Sequence, residues 1–140
     1  FTQHPATPDP LWSRGLGDVY KRQVPGRMDH RAPQSEDPDI QFGKQHEVYL
    51  TEDGKLHKLA GRESIEVNSL HTQGIDKLAD TLEIEGIAKD ETVEAISLKD
   101  YKGYFYGVQW HPETSSTSDD FSKKLFGSFN DAVQTFSIEK

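Results

Sequence analysis

The chain has 140 residues, the size of about one domain, with 24 acidic against 16 basic side chains and a net charge of −8. Charge of that sign is repelled by phosphate backbones and anionic lipid, so no nucleic-acid and no membrane-surface role is expected. No run approaches the ~18 apolar residues of a membrane span, and the absence of cysteine excludes disulfides, thiolate metal sites and a thiol nucleophile within these residues.

The first 40 residues hold six of the seven prolines, and no apolar period of 2 or 3.6 persists there. Residues 13–23, Ser-Arg-Gly-Leu-Gly-Asp-Val-Tyr-Lys-Arg-Gln, resemble the in-frame translation of a transposon-type sequencing adapter. Residues 1–23 are therefore read as a non-native leader, irregular or loosely attached, with the true chain resuming near Val24.

Downstream the pattern changes. Residues 46–50 alternate polar and apolar and run into the turn Glu52-Asp53-Gly54. Residues 64–68 read as a second short strand. Residues 81–88 and 92–98 alternate around Lys89-Asp90-Glu91 and predict a hairpin with one face buried and one wet. Tyr104 to Trp110 is apolar at nearly every position, the pattern of a central strand covered on both faces. From about 118 to 137 a helix is expected, capped by Ser118, with Phe121, Leu125, Phe129, Val133 and Phe136 on one stripe against a sheet.

Six histidines are present: His4, His30, His46, His57, His71 and His111. None forms a helical i, i+4 pair around a carboxylate base, so they read as scattered surface residues; no metal and no other cofactor is expected. His111-Pro112-Glu113 differs. In extended chain, residues i and i+2 point to one side, and Pro112 stiffens the geometry. A carboxylate that takes one ring nitrogen leaves the other basic and aimed, which is the general-base half of a nucleophilic triad.

Gly107-Val108-Gln109-Trp110-His111-Pro112-Glu113 resembles the signature ending the last catalytic strand of class I glutamine amidotransferase-like domains. The run Val67 to Gly74, Val-Asn-Ser-Leu-His-Thr-Gln-Gly, narrows the likeness to gamma-glutamyl-gamma-aminobutyrate hydrolases. Asp29-His30-Arg31, Gln45-His46-Glu47-Val48 and Val93-Glu94-Ala95 add to it, so it covers roughly residues 24–140.

The resemblance implies an α/β fold, the C-terminal half of a flavodoxin-like glutamine amidotransferase domain. It implies hydrolysis of small γ-glutamyl amides through a cysteine thioester in the cytoplasm. His111 would be the general base and Glu113 its orienting carboxylate. Asn68, Ser69, Leu70 and His71 would line the pocket for the glutamyl group. The family's nucleophile elbow, Gly-x-Cys-x-Gly, has no counterpart here. Residues 24–140 are thus expected to be part of a cleaving enzyme and inactive alone. A non-catalytic binding module of the same superfamily and a synthase-linked glutaminase domain are the alternatives. Oligomeric state and the amine released are not fixed by the sequence.

Overall fold

The computed structural model describes residues 17–21 and 27–138. Residues 1–16 and 22–26, most of the expected leader, lie outside the described part. Gly17–Lys21 (β1) is nevertheless a strand, paired antiparallel with Gln73–Leu78 (β4) in a two-stranded ribbon separate from the main sheet. Strand β1 thus lies inside the stretch expected to be irregular.

The main sheet has five strands: His46–Leu50 (β2), Ser64–Val67 (β3), Leu82–Ala88 (β5), Val93–Leu98 (β6) and Tyr106–Val108 (β7). Their order is β3-β2-β5-β6-β7, and every described pairing is antiparallel. The parallel strands of a flavodoxin-like sheet are not among the described residues. A four-residue helix, Pro38–Gln41 (α1), precedes β2. Lys55–Ala60 (α2) follows β2 and has no counterpart among the expected elements.

Its origin is a distant contact. Glu85, buried on β5, accepts from Leu56 N at 2.9 Å and so caps the first turn of α2 from across the sheet. Gly54 makes this approach possible, because a Cβ there would lie 2.8 Å from a Glu85 carboxylate oxygen.

The hairpin of β5 and β6 forms as expected, but its faces do not. Register shifts on both sides of Gly86 turn the strand over: Glu85 is buried, whereas Ile84 and Ile87 are exposed. A bulge inverts the alternation beyond it, which no strict period of two can anticipate. The strand covered on both faces is β6, where Glu94, Ala95, Ile96 and Ser97 are all buried. The expected central strand, β7, is three half-buried residues at the end of the sheet, paired with β6.

Helix α3 spans Asp120–Ile138. Its cap is Asp119 and not Ser118: the Asp119 carboxylate accepts from Ser122 N at 2.8 Å, whereas Ser118 Oγ points back to Ser115 O. The apolar stripe is core only at its start. Phe121 and Leu125 are buried with Trp110, Val48, Leu56 and Val67, but Phe129, Val133 and Phe136 are exposed. Phe129 meets only the edge of Tyr104 among the ring contacts described, at 5.4 Å. No helix among the described residues is long and apolar enough to cross a membrane.

Candidate active site

The strand β7 ends at Val108, and His111 sits at the entrance of a 3-10 turn, Pro112–Ser115. Glu113 is therefore in the first turn of that element, not two residues along an extended strand. The turn still delivers the contact: His111 Nδ1 lies 2.7 Å from Glu113 Oε1. A carboxylate only accepts, so in the neutral ring the proton is on Nδ1 and the lone pair on Nε2. Nε2 has no hydrogen-bond partner among the described residues, and both side chains are about half exposed. Partial burial pushes the Glu113 carboxyl up, but the hydrogen bond and charge of His111 together with the backbone N–H of Glu113 leave it below the usual carboxylate range.

Asn68 fixes the backbone of this turn. Its Oδ1 accepts from His111 N at 2.8 Å; its Nδ2 donates to His111 O at 3.1 Å and to Thr114 Oγ1 at 2.8 Å. Asn68 and His111 both border a cavity of about 600 Å³. Across it, Lys44 pairs with Asp119 at 2.7 Å.

Ser69 and His71 of the expected pocket loop face elsewhere. The Ser69 hydroxyl is fully buried and donates to His30 O at 2.6 Å. The His71 ring turns toward Glu94, 3.3 Å away, and Leu70 is partly buried. The structure thus brings Asn68 together with His111 and Glu113, and directs Ser69 and His71 to a second cluster.

That cluster corrects the reading of the histidines as scattered surface residues. His30 is fully buried between Asp90 and Glu94, at 3.1 and 3.0 Å, and His46 and His71 close on the same Glu94 oxygen. Burial lowers the His46 pKa by more than Glu94 raises it. Burial raises the Glu94 carboxyl, but the surrounding imidazoles of His30, His71 and His46 together bring it net below the ordinary range. Asp90 is likewise held well below that range: burial opposes, while Met28 N, Thr92 and His30 prevail. The only signal in the sequence was that these residues come from separate fragments of one family likeness.

The peptidase C26 family model matches residues 17–113, and the chain belongs to this class I glutamine amidotransferase-like family. It is 36% identical over 131 residues to the gamma-glutamyl-gamma-aminobutyrate hydrolase of Escherichia coli, covering 89% of this chain and 50% of that protein. The hydrolase of the same name from Shigella sonnei gives the same figures. Protein NtpR of Enterococcus hirae is 36% identical over 91 residues, 65% of this chain and 36% of its own length. The chain spans about half the length of the gamma-glutamyl-gamma-aminobutyrate hydrolases it matches. Among solved structures, a candidate GMP synthase subunit from Thermoplasma acidophilum superimposes with a TM-score of 0.59 at 19% identity, over 90% of this chain and 52% of that one. This likeness supports the α/β fold.

Proposed function

We propose that the chain is the C-terminal part of a cytoplasmic hydrolase of γ-glutamyl amides, with γ-glutamyl-γ-aminobutyrate as substrate and glutamate and γ-aminobutyrate as products. The observation that carries this reading is the His111–Glu113 pair, 2.7 Å apart on a backbone held by Asn68. In a chain related to gamma-glutamyl-gamma-aminobutyrate hydrolases, such a pair fits a general base and its orienting carboxylate.

The nucleophile of this chemistry is a thiolate, and residues 1–140 contain no cysteine. It comes from a part of the protein outside them, as does the oxyanion site beside it. In the complete enzyme His111 takes the thiol proton, the thiolate attacks the γ-carbonyl, and the imidazolium protonates the departing amine. Water activated by His111 then hydrolyses the thioester. Glu113 holds the ring in the tautomer that leaves Nε2 basic. Asn68 positions the turn, and the loop 68–71 borders the glutamyl group chiefly through Asn68, Leu70 and its backbone. Residues 24–140 belong to this catalytic domain; the family match begins at residue 17, inside the expected leader.

The test compares the 140-residue chain with the protein extended upstream to the length of its relatives, each given γ-glutamyl-γ-aminobutyrate. The extended protein should release γ-aminobutyrate and the 140 residues alone should not. Turnover by the 140-residue chain would refute the thioester chemistry.

A further inference from the structure

Three histidines on three different segments converge on Glu94, and in each the far ring nitrogen faces a group that can only accept. His30 Nε2 is 3.1 Å from an Asp90 carboxylate oxygen. His46 Nδ1 is 3.2 Å from Glu47 O, and His71 Nδ1 is 2.7 Å from Gln73 O. The two carbonyls hold the proton on Nδ1 of His46 and His71, so their Nε2 atoms carry lone pairs toward Glu94 when the rings are neutral; His30 stands between two carboxylates and turns a lone pair to Glu94 in the tautomer with its proton on Nε2.

The three nitrogens gather around one carboxylate oxygen. His30 Nδ1, His71 Nε2 and His46 Nε2 lie 3.0, 3.3 and 3.6 Å from Glu94 Oε1. Four ligands arranged tetrahedrally at ~2.0–2.1 Å from zinc are about 3.3 Å apart, the middle of that range. Ligand atoms of His30, His46 and Glu94 all lie within 4.8 Å of one another. Glu94 is 1% exposed and the His46 side chain 5%, yet His46 Nε2 and Glu94 Oε2 have no hydrogen-bond partner among the described residues. Lone pairs crowding a buried anion are repulsive unless a cation stands between them. An outer carboxylate or carbonyl on each imidazole is the arrangement that orients histidine ligands toward a metal.

We propose that His30, His46 and Glu94, joined by His71 as a fourth donor, form a binding site for one divalent transition-metal ion, zinc being the best fit to imidazole nitrogens with one carboxylate oxygen. The site is structural. His30 O accepts both the Ser69 hydroxyl and His71 N, so the ion fixes the loop that carries Asn68 and, through it, His111. None of the four ligands belongs to the His111–Glu113 pair, and the site stands whether or not the hydrolase reading does.

The experiment takes the 140-residue chain, strips it with a chelator and titrates it with cobalt(II), then with zinc. One cobalt per chain should bind with the intense visible bands of a tetrahedral site, be displaced by zinc, and raise the thermal midpoint or induce folding. His46→Ala and Glu94→Gln should each abolish uptake, and His57→Ala should preserve it. The unaltered chain supplies a readout independent of variant folding: zinc should shift the ring-nitrogen resonances of three histidines and spare that of His57. Absence of saturable one-to-one uptake, whether the stripped chain is folded or not, overturns the proposal. So does uptake that survives both ligand substitutions.

Discussion

Asn68 grips His111 by both ends of its peptide backbone, accepting from its N–H at 2.8 Å and donating to its carbonyl at 3.1 Å. Residues 43 positions apart are joined as neighbouring strands would be, and the joint sets where the imidazole emerges. Asn68→Asp should be worse than a mere loss of contact. It replaces the donating amide with an oxygen facing His111 O and Phe42 O, carbonyls that cannot donate. A cost of about 1–3 kcal/mol per unsatisfied buried group is expected. Urea unfolding of Asn68→Asp beside wild type measures it; an unchanged midpoint would remove Asn68 from this role.

The cap of α3 gives a prediction in pH. Burial pushes the Asp119 carboxyl up, but Lys44 and Ser122 hold it below the ordinary range. With the folded value depressed, the stabilisation is complete above the unfolded value of about 3.8 and is lost as pH falls through the folded one. Asp119→Ala should cost about 1 kcal/mol near neutrality, while Asp119→Asn, an equally good cap, costs less. Thermal melts at pH 7 and pH 3 should show the wild-type advantage over Asp119→Ala shrinking in acid.

The stripe on α3 divides in the same way. Phe121 is 2% exposed against Trp110, so Phe121→Ala should cost about 3–5 kcal/mol. Phe136, 62% exposed on the same stripe, should tolerate serine within about 0.5 kcal/mol. A contiguous apolar face of this kind favours association. The chain should therefore bind an apolar dye and self-associate, and Phe129→Ser with Phe136→Ser should reduce both. Sedimentation of the two forms checks this.

Sequence patterning made the strands at 46–50, 64–67, 82–88 and 93–98 legible, because each is a short local alternation. It also made the His111–Glu113 pair legible, though as neighbours on one side of an extended chain, whereas a 3-10 turn delivers the contact. Three things were not local. Helix α2 depends on Glu85, 29 residues from the N–H it caps. The exposed faces of Ile84 and Ile87 depend on the bulge at Gly86. The histidine cluster depends on β6 carrying Glu94 to a point that His30, His46 and His71 approach from three directions, and no spacing in the chain encodes that convergence. The aromatic stripe misled for a related reason: periodicity reports which face is apolar, not how much of it is buried.

The central claim is that His111 is the base of a γ-glutamyl hydrolase and Glu113 its orienting group. The most direct measurement is kcat on γ-glutamyl-γ-aminobutyrate for the upstream-extended protein and its His111→Ala and Glu113→Gln variants. General-base assistance is worth ~10²–10⁴-fold, so His111→Ala should lose at least that factor. Glu113→Gln should lose less, because the ring remains but is less firmly held. A His111→Ala enzyme with wild-type kcat, or a Glu113→Gln enzyme more impaired than it, would contradict the account.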